Sequence, residues 1–185
     1  MKAIIFDCFG VLTTDYWREF VARLPDDIQP AAADLNKAYD AGFIVATDFM
    51  DQVETLTGQR PDTVEHRKAR AKKNHELLVY VAELKLHYKI GLLSNIASDW
   101  IADEFLTPAE QGLFDAMIFS HNVSLTKPDH RIFELMAERL GVEPTDCIMI
   151  DDIEANCTGA RETGMQAVEY RDFVQAQGEL RQLLS

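Results

Sequence analysis

The sequence predicts an α/β protein with a parallel sheet between two layers of helices. Short apolar runs such as Ala3 to Phe6 are continuous rather than alternating, which is typical of strands covered on both faces. From Lys89 onward such runs alternate with helical segments, and this order implies right-handed crossovers between parallel strands. Between these parts, the chain has helical periodicity and no strand pattern. We therefore predict a core of residues 1–13 and 87–185, with a small helical cap, residues 14–86, inserted after the first strand.

The core is expected to contain five strands joined by helices. Pro128 is expected to open the helix that Gly141 ends, and Gly164 to end the next one. The predicted strands are 3–6, 90–94, 116–120, 147–150 and 167–169, and the predicted core helices are 98–106, 132–140 and 154–163.

The cap is expected to be entirely helical. The first helix carries an apolar face on Trp17, Phe20, Val21 and Leu24. The capping residues and glycines predict further helices over 31–39, from Thr47 to Gly58, after Asp62 and after Asn74.

Composition and charge exclude several classes of function. Of the 185 residues 47% are hydrophobic and 26% charged, as in an ordinary soluble globular protein. The formal net charge of −13 argues against nucleic acid and anionic membrane surfaces as partners. No apolar run has the length of a membrane span and no signal peptide is evident, so we expect a cytoplasmic protein. The three cysteines are expected to be buried free thiols.

Polar residues stand at or just beyond the ends of predicted strands. Asp7 follows the first strand, Ser94 ends the second, Lys127 follows the third, and Asp151 and Asp152 follow the fourth. The carboxyl ends of parallel strands form the crevice in which open α/β sheets bind ligands. Taken singly, these residues are as consistent with a helix cap, a turn or a surface lysine. Their order along the chain favours a common site.

A carboxylate nucleophile beside a cation fits this constellation. Asp7 would attack phosphorus and form an aspartyl phosphate that water later cleaves. Because a phosphate dianion repels a carboxylate, a divalent cation has to lie between them. Asp7 and Asp152, supported by Asp151, are hard oxygen ligands suited to Mg²⁺, and the main-chain carbonyl of Phe9 is placed to complete the set.

The remaining polar groups are expected to hold the phosphoryl oxygens. The Ser94 hydroxyl and the main-chain amides around Asn95 would bind them, together with the turn at Phe9 and Gly10. Lys127 would neutralise the charge that develops during transfer.

Residues near this constellation have open assignments. Asn156 either caps a helix or orients the metal ligands. Tyr16 and Arg18 either reach the substrate from the cap or lie on a solvated helix face.

Four motifs make the chain resemble the haloacid dehalogenase superfamily. Phe-Asp7-Cys-Phe9-Gly10-Val-Leu resembles its first motif and Leu-Leu-Ser94-Asn95 its second. Lys127-Pro-Asp-His-Arg-Ile-Phe resembles the third, and Ile-Asp151-Asp152 with Gly164-Met165 the fourth. The resemblance implies a Rossmann-like core, Asp7 as nucleophile and, usually, a Mg²⁺-dependent phosphatase. A small phosphorylated metabolite is then the expected substrate, and the oligomeric state stays open.

Phe9 is a departure from the pattern of that superfamily. Its phosphatases commonly carry there a second aspartate, which protonates the leaving group and activates water. An aromatic residue at this place resembles the 2-haloacid dehalogenases, which use the nucleophile without metal. Those enzymes lack the paired acids, however, whereas some sugar-phosphate phosphatases combine paired acids with a non-acidic residue here. A phosphatase is therefore favoured, with a dehalogenase-like hydrolase and a catalytically quiet binding protein as alternatives.

Overall fold

The protein is built around a sheet of five parallel strands, which confirms the predicted α/β fold. The computed structural model describes residues 1–61 and 71–185. The strands lie in the order β3-β2-β1-β4-β5, so the first strand of the chain is the central one. Their bounds are β1 Ala3–Phe6, β2 Lys89–Ser94, β3 Ala116–Phe119, β4 Cys147–Asp151 and β5 Gln166–Glu169.

The central position of β1 follows from its composition. All four of its residues are buried, because helices cover both faces of the sheet. Phe6 lies beside Leu92 of β2 and Ile150 of β4 in the parallel register. Asp7 therefore follows β1 at the middle of the carboxyl edge, with the ends of β2 and β4 on either side.

The helices pack against both faces of the sheet and beyond its carboxyl edge. Among the described residues, none of them is long and apolar enough to cross a membrane. Their bounds are α1 Tyr16–Val21, α2 Gln29–Asp40, α3 Ala46–Thr57, α4 His75–Leu84, α5 Pro108–Gln111, α6 Ser120–Val123, α7 His130–Leu140, α8 Glu154–Glu162 and α9 Phe173–Leu184.

Three core helices differ from the prediction. The segment expected to be helical over 98–106 contains only a π-helical turn, Ile101–Phe105, followed by the short α5, which Thr107 caps. Helix α7 begins at His130, because the Asp129 side chain accepts a hydrogen bond from the main-chain N–H of Arg131. Helix α9, at the end of the chain, was not predicted.

Helices α1 to α3 form a hydrophobic cluster of their own. Its buried members are Phe49, Met50 and Val53, with Trp17 and Tyr39 among the side chains packed on them. This cluster is separate from the two that line the faces of the sheet. One contact with the core is the hydrogen bond that the Ser120 hydroxyl donates to the carbonyl of Asp40, with an O···O distance of 2.5 Å.

Helix α4 lies within the range predicted for the cap but packs on the sheet. Leu77 and Val81 belong to the same cluster as Ile4 and Leu92. The predicted N-cap of α4 is confirmed, since the side chain of Asn74 accepts a hydrogen bond from the N–H of Leu77. The helix predicted after Asp62 lies outside the described residues, and the division of the chain at residue 86 stays a prediction.

Candidate active site

Charged residues from different strands meet at the centre of the carboxyl edge. The Lys127 ammonium lies 2.8 Å from Asp7 Oδ1 and 2.6 Å from Asp151 Oδ2. Lys127 and both aspartates are buried, with at most 5% of each residue exposed. Asp7 is 120 positions from Lys127 and 144 from Asp151 in the sequence, yet the three share one buried ion-pair network, as expected if strand ends converge.

Both carboxylate oxygens of Asp151 accept hydrogen bonds from the protein. Its Oδ1 accepts hydrogen bonds from the main-chain N–H of Ile153 and the side-chain amide of Asn156, both at 2.9 Å. Its Oδ2 accepts from Lys127. Asp151 therefore fixes the position of the lysine, and Asn156 orients Asp151.

Only one of the two carboxylate oxygens of Asp152 has a partner among the described residues. Among the described residues, no hydrogen-bond partner reaches its buried Oδ1. Its Oδ2 pairs with the guanidinium of Arg18, which comes from α1. Gly10 lies directly beneath this carboxylate: a Cβ atom there would be 2.1 Å from Asp152 Oδ2, and the φ of Gly10 is +82°. Only glycine allows both the close approach and this backbone conformation without strain.

The carboxylates form a cluster whose negative charge Lys127 and Arg18 balance only in part. Asp7, Asp151 and Asp152 each offer an oxygen within 4.8 Å of the others. Burial and the negative charge of Asp151 raise the pKa of Asp7 well above its usual value. The same two causes raise the pKa of Asp152 to about 6. Burial acts to lower the pKa of Lys127, but the charges of Asp151 and Asp7 outweigh it and raise this pKa.

This donor set fits a hard divalent cation. Carboxylate oxygens are the ligands that Mg²⁺ prefers, and a cation would relieve the repulsion that raises both carboxyl pKa values. The unpartnered Oδ1 of Asp152 is the clearest sign of a missing positive charge. Asp7 and Asp152 are better placed to bind such a cation than Asp151, which is already committed to Lys127, Ile153 and Asn156.

At the end of β2, Ser94 and Asn95 have different surroundings. The Asn95 side chain holds the main chain of Lys127, accepting from its N–H at 2.9 Å and donating to its carbonyl at 3.1 Å. Ser94 is fully buried, and no partner for its Oγ is found within the described part of the chain. The side chain of Asn95 therefore supports the lysine, while the following residues, 96–98, line a cavity.

This cavity, of about 220 Å³, lies between helices α1 and α2 and the sheet edge. Asp7 and Lys127 form its charged end. Aromatic side chains form much of the remaining wall: Phe9 and Trp100 from the core, which stack with centroids 6.2 Å apart, and Trp17 and Tyr39 from the helical cluster. The cavity thus offers an anion-binding end and an apolar body.

Sequence reasoning missed Asp15 and Trp100 as cavity residues. Asp15 is the N-cap of α1, a role visible in the sequence, and burial raises its pKa. That its carboxyl also lines the cavity depends on how α1 sits over the sheet edge. The sequence leaves Arg18 either reaching the substrate from the cap or on a solvated helix face, and it does not predict the pairing with Asp152.

Known proteins resemble this chain over most of its length. The family model described as haloacid dehalogenase-like hydrolase matches residues 1–164. Bifunctional epoxide hydrolase 2 of Sus scrofa is 25% identical over 214 residues, which cover 99% of this chain and 39% of that protein. D-ribitol-5-phosphate phosphatase of Bacteroides thetaiotaomicron is 25% identical over 205 residues, covering 100% of this chain and 99% of the relative.

Solved structures share the fold. A HAD family enzyme from Bacteroides thetaiotaomicron, crystallised with magnesium and inorganic phosphate, superimposes with a TM-score of 0.67. The match covers 92% of this chain and 94% of that enzyme at 20% identity. The chain spans well under half the length of several curated relatives that it matches, such as the 39% of the epoxide hydrolase.

Proposed function

The chain belongs to the haloacid dehalogenase-like hydrolase family, and from that premise we propose that it is a Mg²⁺-dependent phosphatase of a small phosphorylated metabolite. The observation that carries this proposal is the excess negative charge around Asp7, where three clustered carboxylates outnumber the two cations paired with them, Lys127 and Arg18. Without a further cation this excess negative charge repels a phosphate dianion. Asp7, Asp152 and the Phe9 carbonyl are the proposed cation ligands, with Asp151 in support.

Asp7 is the proposed nucleophile. Its Oδ1 lies near the Lys127 ammonium and accepts a hydrogen bond from the main-chain N–H of Cys8 at 2.6 Å. These contacts fix the carboxylate and leave Oδ2 to attack phosphorus. The new O–P bond forms as the bond to the leaving group breaks, and water then cleaves the aspartyl phosphate to regenerate Asp7.

Positive charge has to accompany this step. A bound Mg²⁺ would supply the charge that lets the phosphoryl group approach Asp7 and would favour the ionised carboxylate. Lys127, held by Asp151 and Asn95, stabilises the negative charge on the phosphoryl oxygens. Ser94 and the amides that follow it are the proposed holders of those oxygens.

The leaving group of the proposed reaction has no proton donor at the position of Phe9. The aromatic side chain of Phe9 lines the cavity where a proton donor would be useful, and it cannot donate one. General acid catalysis typically contributes about 10²–10⁴-fold. The enzyme should therefore favour substrates whose leaving group needs little protonation, or whose own hydroxyl groups supply the proton.

A sugar or polyol phosphate is the proposed substrate class. The relative from Bacteroides thetaiotaomicron is named as a phosphatase of D-ribitol 5-phosphate. Aromatic walls such as those of Phe9, Trp100 and Trp17 offer apolar surface to the C–H faces of such a molecule. Helices α1 to α3 would act as the cap that selects the substrate.

Two assays separate this proposal from its alternatives. Phosphate release from p-nitrophenyl phosphate should require Mg²⁺ and vanish in EDTA, and 2-chloropropionate should release no halide. Metal-independent halide release without phosphate release would instead identify a dehalogenase-like hydrolase. No release from p-nitrophenyl phosphate or from a panel of sugar phosphates would favour a binding protein.

A leaving-group comparison tests the role of Phe9. With the same enzyme, kcat on p-nitrophenyl phosphate should exceed kcat on a simple alkyl phosphate by about 10²-fold or more, as expected when no acid protonates the departing oxygen. Nearly equal values would show that another group of the protein supplies the proton.

A further inference from the structure

Arg18 connects the helical cluster to the carboxylate cluster. Its Nη1 pairs with Asp152 Oδ2 and lies 3.4 Å from the main-chain carbonyl of Asp152. The two residues are 134 positions apart in the sequence. The arginine side chain is 58% exposed, whereas that of Asp152 is only 9% exposed. Arg18 therefore covers a buried carboxylate from the solvent side.

The same carboxylate is a proposed ligand of the divalent cation. Asp152 Oδ1 is buried without a partner among the described residues, and the carboxyl oxygens of Asp7 and Asp151 lie within 4.8 Å of the cluster. The guanidinium is thus the positive charge that partly balances Asp152 when no cation is bound. A cation and a guanidinium that share one carboxylate repel each other, and each weakens the hold of the other.

We propose that Arg18 competes with the divalent cation for Asp152, so that this cap residue sets the metal affinity of the active site. The inference rests on the proposed metal-dependent function and adds to it a residue that limits metal binding. By linkage, the free energy by which Arg18 weakens cation binding equals that by which a bound cation weakens the ion pair between α1 and the sheet edge.

The opposite role for Arg18 is to hold Asp152 in a productive orientation. Partners of a ligating carboxylate often act in this way and raise the affinity for the metal. Here the carboxylate is positioned without the arginine, because it lies against Gly10 so closely that a Cβ there would be 2.1 Å from Oδ2. The exposed arginine adds little further orientation. The charge of Arg18 is then its dominant effect, and we expect it to lower the affinity of the site for the cation.

Arg18→Gln tests the proposal through binding of Mg²⁺ alone. Calorimetric titration of the metal-free protein with MgCl₂ at low ionic strength should give a dissociation constant up to about fivefold lower for the variant than for the wild type. Arg18→Lys, which keeps the charge on a shorter side chain, should lie between them. Asp152→Asn should abolish the binding and so locate it.

Arg23→Gln is the matched control. Arg23 lies just beyond α1, and its pair with Glu19 is long and exposed, at 3.9 Å. This variant loses the same charge away from Asp152 and should bind Mg²⁺ like the wild type. Equal or weaker binding by Arg18→Gln, or an equal gain in Arg23→Gln, would overturn the competition while leaving the phosphatase proposal intact. No Mg²⁺ binding by the wild type would overturn the metal site and the competition together.

Discussion

Asp152→Asn should stabilise the metal-free protein. The folded state holds this carboxyl group buried beside Asp151, and its pKa is raised from the usual 3.8 to about 6. The ionised form is therefore less stable in the folded protein than in the unfolded chain, even with Arg18 nearby. Asparagine has nearly the same shape and carries no charge, so the substitution removes the cost and leaves the packing unchanged.

The size of the effect follows from the pKa. A rise of about two units corresponds to about 3 kcal/mol of unfolding free energy at pH 7. For a protein of this size, each kcal/mol moves the melting temperature by about 2–4 °C. Asp152→Asn should therefore melt about 6–12 °C above the wild type in EDTA at pH 7.

The same argument fixes the pH dependence. Because the folded-state pKa is higher, the folded protein binds more protons than the unfolded chain between pH 4 and 6. The unfolding free energy of the metal-free wild type should fall as pH rises through that window. The extra stability of Asp152→Asn over the wild type should therefore disappear near pH 4. Asp7, whose pKa is also raised, contributes in the same direction in both proteins.

Thermal and urea unfolding in EDTA, at pH 4.5 and 7, measure the difference. Adding MgCl₂ should then stabilise the wild type and leave the variant unchanged, since the variant lacks a proposed ligand. Asp103→Asn, at an exposed position, controls for the loss of one negative charge and should change little. The reasoning is refuted if Asp152→Asn is less stable than the wild type in EDTA at pH 7, or if Mg²⁺ stabilises both equally.

Other substitutions test the remaining parts of the site. Asp7→Asn should reduce hydrolysis of p-nitrophenyl phosphate to background while circular dichroism and melting show an intact fold; retained activity would remove the nucleophile. Lys127→Met leaves two buried carboxylates unpaired and should cost about 3–5 kcal/mol in urea unfolding at pH 7, with a smaller loss at pH 5, where the carboxylates can take up protons. Gly10→Ala should lower the free energy of unfolding by about 1–2 kcal/mol from its positive φ alone, and it should weaken Mg²⁺ binding by displacing Asp152. Gly178→Ala, in open space on a helix, should not destabilise the protein. Equal melting temperatures for the two alanine variants would contradict the close contact.

The sequence predicts best where local pattern and tertiary packing agree. The run from Ala3 to Phe6 is apolar throughout because both faces of β1 are covered, so its pattern identifies a buried strand directly. The segment after Ser98 shows the opposite case. Trp100, Ile101 and Phe105 have helical spacing, yet all three pack into the core cluster, and the chain there forms a π-helical turn instead of a regular helix.

The composition of the site was easier to predict than its contacts. A strand end implies a position at the carboxyl edge, which is why Asp7, Lys127 and Asp151 could be placed together. The partner of a side chain depends on how separate elements pack. Arg18 reaches Asp152, and Asn95 holds the Lys127 main chain, through loop and helix positions that no local pattern specifies.

The ion-pair network links the proposed nucleophile to the proposed cation. Lys127 divides its positive charge between Asp7 and Asp151, so neither carboxylate is fully balanced, and burial favours the protonated form of Asp7. A protonated Asp7 is no nucleophile. We therefore expect a cation at Asp152 to favour the ionised form of Asp7, which the proposed mechanism needs, and this gives Arg18 an influence on the proposed nucleophile.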